Sequence, residues 1–305
     1  MLLTPPRPLL RAESPGTCPA GPADEGTGRE LLALLRGTTA ARPRFDPGLA
    51  GGLRAWLEDA AYGVVARRGE DAPSLVLGPR RLLDTDEEGP RRAASRRSPR
   101  SEERAGTEAE PGLEARLVHA LFRQLVHTGA VGDPLADALD ALQASGGAVS
   151  ARAVAALPVA AREVLAASLA RQVANLRMVV PRLVPGWMPR TDDHVAIPLA
   201  GGRVVLQGTF DLLVGVPRPG TASLCALGLS TGGPWPRERR TLHYLALLET
   251  LRSGTPPFRL ALIESTSRRY GVEDVREEHL RALASHIVAW LSADGRSHTE
   301  GAARA

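Results

Sequence analysis

The sequence is poor in several residue types that carry chemistry or build cores. It contains no lysine, because all 38 basic residues are arginine. This absence excludes a lysine base, a lysine nucleophile and Schiff-base chemistry. Aromatic residues make up only 4% of the chain, so leucine, valine and alanine must supply most of the core.

Cysteine is almost absent as well. Cys18 and Cys225 are far apart and form neither a CxxC pair nor a metal-ligand spacing nor a disulfide framework. A reducing compartment is the simplest interpretation. No stretch approaches the roughly 20 apolar residues of a membrane span, and prolines interrupt the first ten residues where a signal peptide would be apolar. We expect a cytoplasmic protein with no membrane partner.

What remains is sufficient for a folded domain. The 305 residues are 43% hydrophobic, enough for one sizeable core. The 31 glycines and 25 prolines indicate that part of the chain is not packed. The net charge of +4 permits contact with nucleic acid but does not argue for it, since much of the positive charge lies in one segment.

Composition and periodicity divide the chain into five parts. The predicted parts are a disordered N-terminal segment (1–43), a small helical subdomain (44–83), a charged linker (84–112), a C-terminal domain (113–293) and a tail (294–305). The first part contains one short predicted helix near Glu30–Arg36. The second contains a predicted helix near Leu53–Arg67 and a short predicted strand at Ser74–Gly78.

The linker is the most charged segment. An acidic patch between residues 84 and 88 precedes six arginines between residues 91 and 104. A solvated linker is the simplest interpretation of such a run. The alternative is an electrostatic arm for nucleic acid, which the neighbouring acidic residues weaken.

The C-terminal domain changes its periodicity at Pro181. Residues 113–180 repeat apolar positions at helical spacing, and the later segments alternate as strands do. Two further helices are predicted near Arg239–Arg252 and Val275–Leu291. The predicted strands are His194–Ala200, Arg203–Gly215, Ser223–Leu229 and Arg259–Ser265. We expect three consecutive antiparallel strands, a crossing helix and a fourth strand beside the third.

This order of elements resembles the PD-(D/E)XK nuclease superfamily, in particular its RecB-like branch. The Gly-x-x-Asp of the second core strand matches Gly208–Asp211, and the following Thr-Gly matches Thr231 and Gly232. The whole chain also resembles RecB-like proteins of actinobacteria. The resemblance implies an α/β (α+β) fold, with a mixed four-stranded sheet of PD-(D/E)XK type and a helical N-terminal part.

The resemblance also implies a degenerate catalytic motif. With Thr231 and Gly232 as the anchor, Gly228 stands where the family has an acid and Ser230 where it has its lysine. Hydrolysis in that family requires two carboxylates and a main-chain carbonyl around Mg²⁺, and a lysine beside the attacking water. Asp211 is the one carboxylate, and the one metal ligand, that the motif retains. Glu238 or Glu264 could replace the missing acid.

Two further positions follow from the resemblance. His119 corresponds to a histidine on the first helix of many RecB-like domains, and Arg240 and Tyr244 match a Gln/Arg-x-x-x-Tyr pattern on the helix after the third strand. Partial burial of His119 and packing of Tyr244 against the sheet are the simpler interpretations. If the LALLE run is used as the anchor, Leu245 takes the place of Tyr244.

The loop before this helix carries an aromatic residue among arginines. Trp235 could stack on a base, with Arg237, Arg239 and Arg240 as phosphate ligands. An ordinary loop with the tryptophan packed on the sheet explains the same residues. The spacing of His243, His279 and His286 fits no zinc motif.

Three functions remain open at this stage. The first is a non-enzymatic nucleic-acid-binding or accessory protein on a nuclease fold, with no cofactor. The second is a DNA nuclease that uses Mg²⁺ and a relocated acid. The third is a scaffold for an unknown protein partner.

Overall fold

A computed structural model of the chain shows an α+β fold built on one mixed sheet. The structure describes residues 28–36, 42–69, 72–83, 112–180, 182–183, 185–216, 218, 221–233 and 235–302. The predictions of a disordered N-terminal segment and of a charged linker concern residues that lie mostly outside these ranges.

Helices account for most of the regular structure in these ranges. The α-helices are α1 (Gly28–Arg36), α2 (Leu49–Arg68), α3 (Pro79–Leu83), α4 (Leu113–Thr128), α5 (Pro134–Ala144), α6 (Ala148–Ala155), α7 (Val159–Val179), α8 (Trp235–Ser253) and α9 (Glu277–Ala302). Short 3₁₀ turns occur at Pro185–Trp187 and Ala200–Gly202.

The strands belong to a single sheet. They are β1 (Leu75–Leu77), β2 (Arg190–Leu199), β3 (Val204–Val214), β4 (Cys225–Ser230), β5 (Arg259–Glu264) and β6 (Tyr270–Asp274). The order is β1-β3-β4-β5-β6, and β2 pairs with the other edge of β3. β2, β3 and β4 are consecutive antiparallel neighbours, β5 lies parallel to β4, and α8 crosses between them.

The prediction of four strands was wrong in number, since the described part of the sheet has six. The four predicted strands are present as β2 to β5. β1 lies parallel to the first residues of β3, and β6 lies antiparallel to β5. The strand β1 was predicted at Ser74–Gly78, but as part of the helical subdomain and not of this sheet. β6 was not predicted, because its sequence, YGVED, lacks the apolar alternation that identifies a half-buried strand.

Helices cover both faces of the sheet. One hydrophobic cluster contains buried side chains of α2, α3, α8 and α9, and the other contains those of α1, α4, α5 and α7. Strand residues supply apolar side chains to both clusters. This two-sided covering explains why β4 is buried at all six positions.

The segment predicted as a small helical subdomain shares this core. β1 extends the sheet, and Leu53, Leu57 and Val64 of α2 pack in the same cluster as Leu280 and Ile287 of α9. Residues 49–83 and the C-terminal part therefore bury one continuous apolar surface.

Some helix boundaries differ from the predicted ones. α8 begins at Trp235, four residues before the predicted start, and α9 continues to Ala302 through the predicted tail. Pro236 suits the first turn of a helix, where a missing N–H is no loss.

Within the described ranges, no helix has both the length and the apolar character that crossing a bilayer requires.

Candidate functional site

The candidate site lies where β3 and β4 separate. The two strands pair only over Leu212–Val214 of β3, so Asp211 is the first residue without a partner in that ladder. Its Oδ2 atom accepts a hydrogen bond of 2.8 Å from the backbone N–H of Leu229. The carboxylate thus occupies the place of a backbone acceptor at the point where the strands part.

Side-chain alternation along β3 also changes at Asp211. Phe210 packs in the cluster beneath α8, whereas Leu212 packs in the cluster on the other face. In a regular strand these two side chains would share a face. On β2, the residue opposite Asp211 is Asp192, which has a left-handed backbone with φ of +51°. The irregularity directs the Asp211 carboxylate into the gap between the strands.

His119 reaches this carboxylate from α4. Its Nδ1 atom lies 2.9 Å from Oδ1 of Asp211. Burial lowers the pKa of His119, but the hydrogen bond and the negative charge of Asp211 outweigh burial and raise that pKa above its ordinary value. With the contacts to His119 and to the backbone of Leu229, both oxygens of Asp211 are engaged.

Glu238, in the first turn of α8, belongs to the same group of charges. Burial and the nearby charge of Asp211 both raise the pKa of Glu238, while Arg237, His119 and Arg80 act in the opposite direction. A Cβ atom at Gly233 would lie 2.4 Å from Oε1 of Glu238, so the glycine lets the carboxylate fold back over the loop. Glu238 is thus a second carboxylate near Asp211.

Glu264, the other candidate replacement, is held in a turn. Its carboxylate oxygens accept hydrogen bonds from the hydroxyl groups of Thr266, at 3.2 Å, and Ser267, at 2.6 Å. These contacts stabilise the bend between β5 and β6.

The position expected for the second catalytic acid is filled by hydrocarbon. Gly228 is buried in β4, and a Cβ atom there would lie 3.1 Å from both Cγ and Cδ2 of Leu242 on α8. That distance is shorter than ordinary van der Waals contact. A side chain at this position would require Leu242 to shift.

The position expected for the lysine is also closed. Ser230 is fully buried, and its Oγ atom has no hydrogen-bond partner among the described residues. Its backbone oxygen accepts hydrogen bonds from the N–H and the hydroxyl group of Ser265, at 2.9 and 3.2 Å. The hydroxyl group of Ser230 has no access to solvent and cannot act on an external substrate from there.

Tyr244 is a core residue in this structure. It is fully buried, and its hydroxyl group lies 2.9 Å from the carbonyl oxygen of Leu77 and 3.2 Å from that of Gln207. Burial raises the pKa of the Tyr244 phenol. The phenol of Tyr244 therefore links β1 to β3 through hydrogen bonds. It is packed in the core and does not line an open cleft with Asp211.

The glycine of the Gly-x-x-Asp motif has a packing role. A Cβ atom at Gly208 would lie 2.5 Å from Cδ2 of Leu245. The glycine therefore allows α8 to approach β3 closely, directly beneath the segment that carries Asp211.

Trp235 and Arg239 lie on the opposite side of α8, against β6. The Trp235 ring packs on Gly271, where a Cβ atom would be 2.8 Å from the ring, and the Arg269 guanidinium lies 5.5 Å from its centroid. Arg239 forms a salt bridge with Glu273. Trp235 is thus packed on the sheet, and Arg239 is neutralised away from Asp211.

The predicted basic group is therefore split between two faces. Arg237 lies near enough to Glu238 to lower the pKa of that carboxyl, whereas Arg239 contacts β6. Residues two apart on a helix point about 200° apart, which explains the division. Arg240 is half-buried in the next position of α8.

Two other arginines that the sequence analysis did not select complete the site. Arg80 of α3 acts electrostatically on Glu238, and Arg123 of α4 acts on His119 and forms a salt bridge with Asp192. No local signal marks either residue, because α3 and α4 lie more than 100 residues before α8 in the chain. The contacts of α3 and α4 with the sheet bring them here.

The ligand set fits Mg²⁺ poorly. Mg²⁺ prefers several oxygen ligands in octahedral geometry. Asp211 offers one carboxylate, both oxygens of which already accept hydrogen bonds, and the Gly228 position faces Leu242. His119 and Glu238 are the other ligand-type side chains nearby. Among the described residues, no three histidine, cysteine or acidic side chains converge in a way that could hold a metal ion.

No family model matches the chain, and no curated protein matches it significantly.

Proposed function

We propose that the protein is a RecB-like member of the PD-(D/E)XK superfamily that binds nucleic acid without hydrolysing it. The observation that carries the proposal is the contact between Gly228 and Leu242. It supports a site in which the catalytic acid is missing and a core leucine packs tightly against the position where the acid would be.

The contacts of the Asp211 carboxylate support the same conclusion. Its carboxylate pairs with His119 and accepts the N–H of Leu229. In a metal-dependent nuclease the corresponding carboxylate must be available to the cation. Here the imidazole of His119 occupies one oxygen of the carboxylate, and the chain has no lysine to activate a water molecule.

Nucleic acid is the favoured ligand because cations surround the site. Arg80 of α3 and Arg237 in the first turn of α8 act electrostatically on Glu238, and Arg123 of α4 acts on His119. A helix N-terminus and arginine side chains are common phosphate ligands. We propose that Arg80 and Arg237 contact successive phosphates, and that Arg239 does not take part.

The proposal is tested by measuring binding and cleavage on the same substrates. Fluorescence anisotropy at low salt in EDTA should show binding of a labelled oligonucleotide, and gels with Mg²⁺ or Mn²⁺ should show intact DNA. Arg80→Ala/Arg237→Ala should weaken binding. The matched double variant Arg54→Ala/Arg281→Ala, which removes two exposed charges elsewhere, should bind as the wild type does. Equal affinities of the two double variants would contradict the proposed site.

A second candidate function is favoured by one observation. Burial raises the pKa of Glu238, and the negative charge of Asp211 raises it further, so the two carboxylates lie close enough to repel each other. Two neighbouring carboxylates are the minimum for a metal-dependent nuclease with a relocated acid. Mg²⁺-dependent cleavage that is abolished in both Asp211→Asn and Glu238→Gln would establish this alternative and exclude the first.

A further inference from the structure

A second concave site lies at the other end of β4, away from Ser230. Its volume is about 360 Å³, within the usual range of small-molecule pockets. The 3₁₀ turn at Pro185–Trp187, the last residues of β3, the first residue of β4 and the end of α1 surround it. None of its lining residues belongs to the candidate nucleic-acid site.

The polar side chains of this pocket are positively charged or neutral. Arg42 and Arg218 line it, together with Ser223, and none of the described acidic residues does. The Arg42 guanidinium lies 4.8 Å from the centroid of the Phe258 ring. Its Nε atom is buried and has no hydrogen-bond partner among the described residues. A buried guanidinium N–H without a partner is costly, so an anion in the pocket would be stabilised there.

The rest of the wall is apolar. Phe258, Trp187, Leu35 and Val214 contribute most of it. The thiol of Cys225 donates a hydrogen bond of 3.2 Å to the carbonyl oxygen of Leu35. Burial raises the pKa of this thiol to about 12, which keeps it neutral and unreactive at physiological pH.

The backbone around the pocket is fixed by specific contacts. Gly215 has φ of +105°, and a Cβ atom there would lie 2.4 Å from the carbonyl oxygen of Ser223. Its N–H donates to the carbonyl oxygen of Trp187 at 2.8 Å, and the Ser223 hydroxyl group donates to that of Val216 at 2.6 Å. The 3₁₀ turn, the end of β3 and the start of β4 are thus tied together before any ligand binds.

We propose that this pocket binds a small organic anion, with one carboxylate or phosphate group on an aromatic or aliphatic body. Arg42 and Arg218 would bind the anionic group, since a guanidinium matches the geometry of both carboxylate and phosphate. The Phe258 and Trp187 side would accept the apolar body. The inference does not depend on the proposed nucleic-acid function, because the two sites share no residue.

The test uses three probes with the same two-ring body: 2-naphthoate, 2-naphthyl phosphate and the neutral 2-naphthamide. Calorimetric titration of the full-length protein should show that at least one anion binds tenfold or more tightly than the amide. The two anions distinguish a carboxylate site from a phosphate site. Equal affinity of all three probes, or no binding of any, would overturn the proposal.

Two variants locate the binding. Arg42→Gln/Arg218→Gln should reduce the affinity for the preferred anion at least tenfold and leave the weak binding of the amide unchanged. Arg218→Gln alone changes an exposed residue, so it tests the site even if the double variant does not fold, and it should reduce the affinity severalfold. Wild-type affinity of the folded Arg218→Gln variant and of the double variant would contradict the assignment. Arg281→Gln on α9 serves as the charge-matched control.

Discussion

The side chain of Leu242 packs directly against the backbone of Gly228, so a side chain at position 228 would require the leucine to shift. The Cβ position of residue 228 lies 3.1 Å from Cγ of the leucine, and both residues are buried between β4 and α8. The two positions are therefore expected to be coupled in stability.

A double-mutant cycle tests this coupling. Gly228→Ala should destabilise the protein by about 1–3 kcal/mol, as overpacked cores do. Leu242→Ala should cost about 2–5 kcal/mol through the cavity that it leaves. The double variant should be less destabilised than the sum, because the alanine at 242 makes space for the methyl group at 228. Urea unfolding gives the free energies.

Gly51→Ala is the control for the cycle. Gly51 is exposed in α2, and a Cβ atom there would have no neighbour within 4 Å. This substitution should stabilise the protein by about 0.5–1 kcal/mol through helix propensity. Additive effects of Gly228→Ala and Leu242→Ala would contradict the packing described here.

The pair of His119 and Asp211 predicts a pH dependence. The pKa of His119 is raised in the folded protein, so its stabilising effect is fully present below the ordinary histidine pKa of about 6.5 and is lost as the pH rises through the folded value. The stability difference between the wild type and His119→Asn should therefore be larger at pH 5 than at pH 8.

An NMR titration of the His119 ring gives an independent measurement. In Asp211→Asn the negative charge and the charged hydrogen bond are absent, so burial dominates and the pKa of His119 should fall. An unchanged His119 pKa in this variant would show that Asp211 is not the partner that raises it.

The phenol of Tyr244 predicts a local effect on β1. Tyr244→Phe leaves the carbonyl groups of Leu77 and Gln207 without this donor in a buried region, which should cost about 1–3 kcal/mol. Hydrogen exchange of the amides in β1 should become faster. Tyr62→Phe on the exposed face of α2 should leave exchange unchanged, and equal exchange in both variants would contradict the role assigned to Tyr244.

Glu273 predicts the behaviour of the protein in acid. Although burial acts to raise its pKa, hydrogen bonds from His243 and Arg239 lower that pKa to about 2. Its stabilising effect is present above the unfolded pKa, near 4.5, and is lost as the pH falls from there towards 2. The effect is no larger than roughly 3 kcal/mol.

Glu273→Gln should remove this part of the acid dependence. Stability measured between pH 2 and 5 should then vary less with pH than in the wild type. A variant whose acid dependence equals that of the wild type would contradict the assigned pairs.

The central strands could be predicted from the sequence because their signals are local. β2 and the part of β3 before Asp211 alternate in side-chain burial, and the two strands are joined at Gly201 and Gly202, which supply the positive φ of the connection. β1 was predicted as a short strand at Ser74–Gly78, but the sequence did not show that it pairs with β3. β6 depends on pairing with β5, and its five residues carry too little pattern to place it.

The site could be predicted only where a motif fixes a position. Asp211 and His119 were selected by their resemblance to family positions, and the structure places them in contact. The sequence could not show that Tyr244 is enclosed, or that Arg239 turns towards β6. Both depend on the rotational phase of α8 against the sheet, which a motif of five residues does not determine.

The salt dependence of DNA binding tests the central claim most directly. We expect the wild type to bind a labelled oligonucleotide with an affinity that falls linearly with salt on a log–log scale. In Arg80→Ala/Arg237→Ala the magnitude of that slope should be smaller by about 0.7–0.9 for each phosphate contact that is lost. In the control variant Arg54→Ala/Arg281→Ala the slope should equal that of the wild type. No binding at low salt, or the same slope in all three proteins, would contradict the claim that the site around Asp211 and Glu238 binds phosphates.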